Sequence, residues 1–362
     1  MELNKIYDKA LNNIDLTVDE AVYLWNNAPL SELMFIADIL RSRAVGSDIV
    51  TWQIDRNVNI TNVCISGCKF CNFHCRLIEK EKSFITTVEE YKKKIDETIS
   101  LNGDQLLLQG GLHPELGIEF YEELFRTLKG DYPGFKLHAL GPPEIIHISK
   151  LSRLDIKTVL QRLTDAGLDS LPGAGAEILD NEIRRRISPG KCTADQWLDV
   201  MRIAHGMNIA TSATMMYGHV ETVRHRMEHL AKIRDLQAEC PGKNYGFIAF
   251  IPWIFRSTGT KLGKDVETVF HPSEYLRMIA MSRIVLNNIR NIQASWLTVG
   301  KETAQIALHA GANDMGSIMI EENVVSSAGA RNSFDAEGIQ QAIREAGFEP
   351  KLRDQKYRYR TV

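Results

Sequence analysis

No apolar run approaches the roughly 18 residues that a membrane-crossing helix needs, so no transmembrane segment is expected. Charge shows no excess of either sign: 43 basic against 46 acidic side chains leave a net charge of −3. That balance provides no electrostatic footprint for nucleic acid or for an anionic membrane surface, and neither is expected as a partner. The opening residues, MELNKIYDKALNNID, are polar and carry acids, unlike a signal or transit peptide. The cytoplasm is therefore the expected compartment. Low-complexity linkers and strong internal repeats are missing as well, and the basic end KLRDQKYRYRTV reads as a solvated terminal segment. Cysteine is sparse, six in 362 residues, yet four of the six fall within positions 64–75. In a reducing compartment such a cluster reads as metal ligands or a redox centre rather than a disulfide framework. Cys192 and Cys240 stand alone and read as inert thiols.

What is present is an ordinary globular composition, 44% hydrophobic and 25% charged, with ample material for a core. Residues 1–48 read as a helical extension, with Thr17 and Glu20 forming a capping box ahead of an apolar stripe at helical spacing. From residue 49 short β-prone runs alternate with amphipathic helical stretches. The strand candidates are 50–61, 105–109, 135–140, 168–171, 208–217, 245–251, 291–297 and a weak one near 312–319. Strict alternation of this kind implies a parallel sheet, and about eight such units predict a closed (β/α)8 TIM-type barrel over 49–325. Residues 326–362 would then form a C-terminal helix and tail closing it. A doubly wound open sheet is the alternative. Each strand candidate runs into a polar or Gly-rich stretch: NVCISGCKFCNFHC, GGLHPELG, GPPE, PGAGAE, GHVET, PWIF, TVGKE and GANDMGS. In a barrel these loops share one rim, where active sites are built.

Cys64, Cys68 and Cys71 form C-x3-C-x2-C, followed by Cys75. Structural zinc uses four ligands, commonly as two separated knuckles, and a second knuckle is missing. The ferredoxin run C-x2-C-x2-C-x3-C-P is not matched. A third reading is a [4Fe–4S] cluster held by three thiolates, which leaves one iron open to a small ligand. On residue types alone the three stay open.

The cysteine spacing, in a loop after the first barrel strand, resembles the radical S-adenosylmethionine (SAM) superfamily. The resemblance implies that Cys64, Cys68 and Cys71 hold a [4Fe–4S] cluster whose open iron chelates SAM, with Cys75 a bystander. It further implies that Phe70 lies near the adenine and that Gln109, Gly110 and Gly111 meet the SAM amino group through backbone atoms. Glu177 in GAGAE would contact SAM, Arg184 or Arg186 would bind its carboxylate, and Gly218 and His219 in YGHVET would border the adenine.

Within that superfamily NVNITNVCISGCKFCNF, LLLQGGLHPELGIEFYEEL, LPGAGAEIL, RRRISPGK, ATMMYGHVET, FIPW and NIQASWLTVG resemble the dehypoxanthine futalosine cyclase family of menaquinone biosynthesis. Aminofutalosine synthase and the 4-hydroxyphenyl transferase of deazaflavin biosynthesis share the cysteine and GAE-like motifs, whereas FIPW and NIQASW favour the cyclase. The resemblance implies hydrogen abstraction from ribose C4′ of dehypoxanthine futalosine, closure of a spiro centre on the benzoate ring, and loss of one electron and one proton. An external one-electron reductant is implied as partner. Substrate contacts would come from His138, Pro142 in GPPE, Trp253, Gln293 and Ser295, with Trp296, His113, Asn313 and Asp314 as further candidates. Gly141 departs from the serine common in relatives. A zinc-stabilised protein without catalysis is the reading from a different class.

Overall fold

The computed structural model describes residues 2–361 except 267–269, 322, 324–326, 328, 330 and 331. The expected boundary at 325/326 lies outside the described residues.

Nine strands make the sheets: β1 Ile49–Gln53, β2 Asp55–Asn59, β3 Gln105–Gln109, β4 Lys136–Ala139, β5 Ser170–Leu171, β6 Ala210–Tyr217, β7 Phe247–Ile254, β8 Asp314–Ser317 and β9 Glu349–Leu352. All ladder pairings are parallel, in the orders β2-β3-β4-β5-β6-β7 and β8-β1-β9. The two groups join into one ring. Residues 291–294 bridge them, with Phe250 paired to Ile292 and Gln293 paired to Asp314. On the far side Ile318 N donates to Gln53 O at 3.1 Å, closing the circuit. The chain is thus an α/β protein of the TIM-barrel type, as expected.

Two strands differ from the sequence reading. Residues 50–61 form two strands, because β1 pairs with β9 while β2 pairs with β3 along the same edge. The run 291–297 contributes isolated bridges, since Trp296–Val299 turns helical. Outward residues such as Val58, Leu106, Leu108 and Leu137 are buried under the surrounding helices. The inward face is another matter. Gln53, Asp55, Asn57, Asn59, Gln105 and Gln109 point into the barrel, where branched apolar side chains are usual.

Three helices precede the ring: α1 Leu3–Leu11, α2 Val18–Asn27 and α3 Leu30–Val45. The capping box that starts α2 has Glu20 N donating to Thr17 Oγ1 at 3.2 Å and Thr17 N donating to Glu20 Oε2 at 3.0 Å. α3 lies along helix Pro272–Val285 and α2 along helix Val223–Ala238, outside the barrel. At the other end of the chain, helix Ala336–Glu345 leads into β9, and Arg353 follows at the bottom of the ring.

Candidate active site

The loops at the C-terminal strand ends enclose a cavity of about 420 Å³ that descends into the barrel. Cys64, Cys68 and Cys71 all line it, carried by the loop after β2. That loop is pinned at its base: Cys64 N donates to Cys75 O at 3.0 Å, and Cys75 N donates to Asn62 O at 2.9 Å. Cys75 is buried at this anchor and does not line the cavity. Ser66 Oγ lies 2.9 Å from Cys64 Sγ and 3.3 Å from Cys68 Sγ. Burial pushes the Cys68 thiol up to about 11, so it holds its proton unless a cation displaces it. Among the described residues, no three Cys, His, Asp or Glu side chains gather closely enough to share a single metal ion.

Gln109 ends β3, Gly110 and Gly111 follow it, and all three line the same cavity. Gly111 N donates to Thr61 O at 2.8 Å, and a Cβ at Gly111 would stand 2.1 Å from Val63 O. Only glycine allows the backbone of this turn to touch the cysteine loop. Opposite stands Glu177, with φ at +45°, a left-handed conformation uncommon outside glycine. Its Oε1 accepts from Lys191 Nζ at 2.7 Å, and that ammonium sits 5.1 Å from the centre of the Phe70 ring. Burial opposes the lysine charge, but the Glu177 carboxylate beside it outweighs burial and holds Lys191 protonated. Glu144, in the first turn of helix Pro142–Ser152, also faces the cavity; burial raises its carboxyl to about 7.

Lower down, His138, Trp253, Gln293 and Ser295 line the wall. Gln293 and Ser295 share the inward face, as their spacing predicts. His138 Nδ1 and Ser170 Oγ are hydrogen-bonded at 2.5 Å, and burial lowers the imidazole to about 3. Asp55 Oδ1, Asn57 Oδ1 and Gln105 Oε1 are buried without a partner among the described residues.

Several expected contacts do not reach this cavity. The Arg184 guanidinium is buried and donates to the carbonyls of Gly175, Ala176 and Cys192 and to the Cys192 sulfur, which leaves it no donor for a carboxylate ligand. Arg186 is exposed on the same short helix. The His219 ring, edge-on to Phe255, is held by Met216 O and Glu221, and neither it nor Gly218 lines the cavity. Pro142 starts its helix and is buried, so Pro143 and Glu144 face inward instead. His113 is buried and accepts from Glu115 N. Asn313 accepts from Arg283 and Asp314 pairs with Arg353, so both are structural. Gly141 has a steric reason: a Cβ there would stand 3.0 Å from Ala174 O, which disfavours the serine.

Lys191 and the polar inner face were not singled out from the sequence. Lys191 ends RRRISPGK, a motif noted only for its likeness to relatives. The inner face did carry a signal, since Gln53, Asp55, Asn57 and Asn59 recur at the strand period of two.

A parallel barrel whose rim gathers three thiols, a double-glycine turn and a buried ion pair around one deep cavity is the architecture of a cofactor-dependent barrel enzyme. The Radical SAM superfamily model matches residues 58–233, and the CofH/MqnC C-terminal region matches 244–362. The chain is 42% identical to the cyclic dehypoxanthine futalosine synthase of Streptomyces coelicolor, over 100% of this chain and 90% of that one. A synthase of the same name from Halalkalibacterium halodurans is 38% identical over 99% and 95%. The 5-amino-6-(D-ribitylamino)uracil–L-tyrosine 4-hydroxyphenyl transferase of Archaeoglobus fulgidus is 39% identical over 90% and 93%. The crystal structure of methylornithine synthase superposes with a TM-score of 0.71 at 18% identity, covering 95% and 97%, a likeness of fold. The chain belongs to the radical SAM superfamily of enzymes, which use a [4Fe–4S] cluster and SAM. The site suits those groups: three thiols share one cavity, and opposite charges stand beside them in Glu177 and Lys191. Among the described residues, no helix is long and apolar enough to cross a membrane.

Proposed function

We propose that this enzyme cyclises dehypoxanthine futalosine to its spiro product, in the cytoplasm and within menaquinone biosynthesis. Full-length identity of 42% to a cyclic dehypoxanthine futalosine synthase carries the reading. The Archaeoglobus relative, at 39% over 90% of this chain, supports aryl transfer from tyrosine as the second reading.

Cys64, Cys68 and Cys71 would hold the cluster. Glu177 and the Gln109–Gly111 backbone would receive the SAM ammonium, Lys191 its carboxylate, and Phe70 would lie by the adenine. When bound, the cluster and SAM supply the 5′-deoxyadenosyl radical that takes hydrogen from ribose C4′. The chain's own task is placement and the exclusion of other hydrogen donors. In this reading the polar inner wall receives the sugar: Gln293 and Ser295 hydrogen-bond its hydroxyls, and Asp55, Asn57 and Gln105 offer acceptors that no described residue uses. Trp253 supplies an aromatic face for the benzoate ring. His138, held neutral by burial, acts as a hydrogen-bonding wall residue rather than as a strong base.

The test is anaerobic reconstitution to about four iron atoms per chain, then incubation with dithionite, SAM and dehypoxanthine futalosine. A spiro-cyclic product with 5′-deoxyadenosine is expected. Deoxyadenosine formation without that product, together with turnover of tyrosine and the diaminouracil, would select the transferase reading instead.

A further inference from the structure

Lysine and arginine line the deep cavity at three places: Lys191, Arg256 and Arg353. Two of these cations are already answered within the chain. Lys191 is ion-paired with Glu177 at 2.7 Å, and Arg353 with Asp314 at 2.5 Å. Arg256 differs. It is half-buried against the cavity, and among the described residues its guanidinium has neither an ion pair nor a hydrogen bond.

The backbone on both sides of Arg256 is fixed. β7 and the residue after it bring Ile251, Trp253 and Phe255 to the cavity at the strand period of two, and Arg256 follows directly. Phe255 N donates to Tyr217 O at 2.8 Å, which pins the strand end. Two residues beyond the arginine, Thr258 O accepts from Asn72 Nδ2 at 3.1 Å, tying the next loop to the cysteine loop. That loop then turns back tightly, with Thr260 N donating to Ser257 O at 3.1 Å. Arg256 thus lies three residues from Trp253, at most about 10 Å along the backbone. An unpaired guanidinium near an aromatic face suits an aryl group that carries an acid, because the planar fork matches a carboxylate with two parallel hydrogen bonds.

The molecules assigned to the cavity bring charges to match. The amino-acid end of SAM supplies an ammonium for Glu177 and a carboxylate for Lys191, and dehypoxanthine futalosine adds one further anion, its benzoate carboxylate. We propose that Arg256 is the counter-ion of that aryl carboxylate and selects acids over neutral aryl groups. The assignment rests on the cyclase reading above. With the ring against Trp253 and its carboxylate held by Arg256, the arene is fixed by a face and an edge, so ribose C4′ meets one position of the ring. No bond forms or breaks at Arg256; it contributes placement.

The test measures binding without turnover, by titration calorimetry on the unreduced, SAM-loaded holoenzyme, and then turnover with dithionite. Wild type, Arg256→Gln and Arg256→Lys are each given dehypoxanthine futalosine and its benzoate methyl ester. Wild type is expected to bind the acid about thirtyfold tighter than the ester, and Arg256→Gln to bind both alike, near the wild-type affinity for the ester. Arg256→Lys should fall between, since a point charge replaces the fork. The loss of kcat/KM on the acid should fall mainly on KM. An unchanged Kd for the acid in Arg256→Gln would overturn the assignment. Equal losses on acid and ester, the mark of a structural role, would overturn it too, as would a raised Kd for SAM with the acid's Kd untouched. A wild type that neither binds nor converts the acid refutes the cyclase reading instead, and the assignment falls with it.

Discussion

The two ends of the barrel treat polar side chains in opposite ways. At the floor, Arg353 donates to both oxygens of Asp314, at 2.5 and 3.0 Å, and to Gln53 Oε1 at 2.8 Å, while stacking 3.9 Å from the Tyr357 ring centre. The two charged groups there answer each other across the chain. Above the floor, the Asp55, Asn57 and Gln105 acceptors of the inner wall have no partner among the described residues, and three thiols line the mouth. A buried polar group costs stability unless it is satisfied. The floor is therefore organised for the fold, and the mouth for molecules that arrive later.

The largest expected effect tests the mouth. Cys64→Ala, Cys68→Ala or Cys71→Ala should each abolish deoxyadenosine formation and drop the iron content well below about four per chain. Cys75→Ser should keep both, since that thiol lies at the loop anchor. Iron analysis and the visible absorption of the anaerobic protein check this. At the floor, Arg353→Leu strands Asp314 in a buried site, and urea unfolding should record a loss of about 3–5 kcal/mol.

Acid should weaken the fold through three buried histidines. His138 and His229 are lowered by burial to about 3, and His205 to about 4, from 6.5. In the unfolded chain these rings take protons near 6.5, whereas the folded protein refuses them until far lower pH. Stability from this source is complete above pH 6.5 and falls toward pH 4. The slope is about 1.4 kcal/mol per pH unit for each histidine. Melting temperatures at pH 7 and pH 5 measure it, and a flat profile would contradict the buried neutral rings. The smallest effect sharpens the contrast: Lys191→Gln should raise the SAM Kd about tenfold with a smaller loss of stability than Arg353→Leu.

The mouth was more legible in the sequence than the floor. Cys64, Cys68, Cys71, Gln109, Gly110, Gly111 and Glu177 sit in loops directly after strands, so order along the chain was enough to bring them to one rim. Arg184 was misjudged because its short helix buries that side chain, and only the tertiary fold decides which face of a seven-residue helix turns inward. The split of 50–61 depends on β9, some three hundred residues later. β9 itself, EPKL, escaped notice because Pro350 argues against a strand anywhere but an edge, where it is in fact found. Lys191 was missed because a lysine after a helix reads as solvated until a buried carboxylate is found beside it.

The floor also sets an order of events during synthesis. Its parts are Gln53 from the first strand, Asp314 from the last barrel strand and Arg353 directly after β9. A nascent chain can stack its early β-α units as they leave the ribosome. It cannot neutralise Asp314 until Arg353 has emerged. The interval before closure is when the polar interior and unpaired strand edges lie open to chaperones or to aggregation.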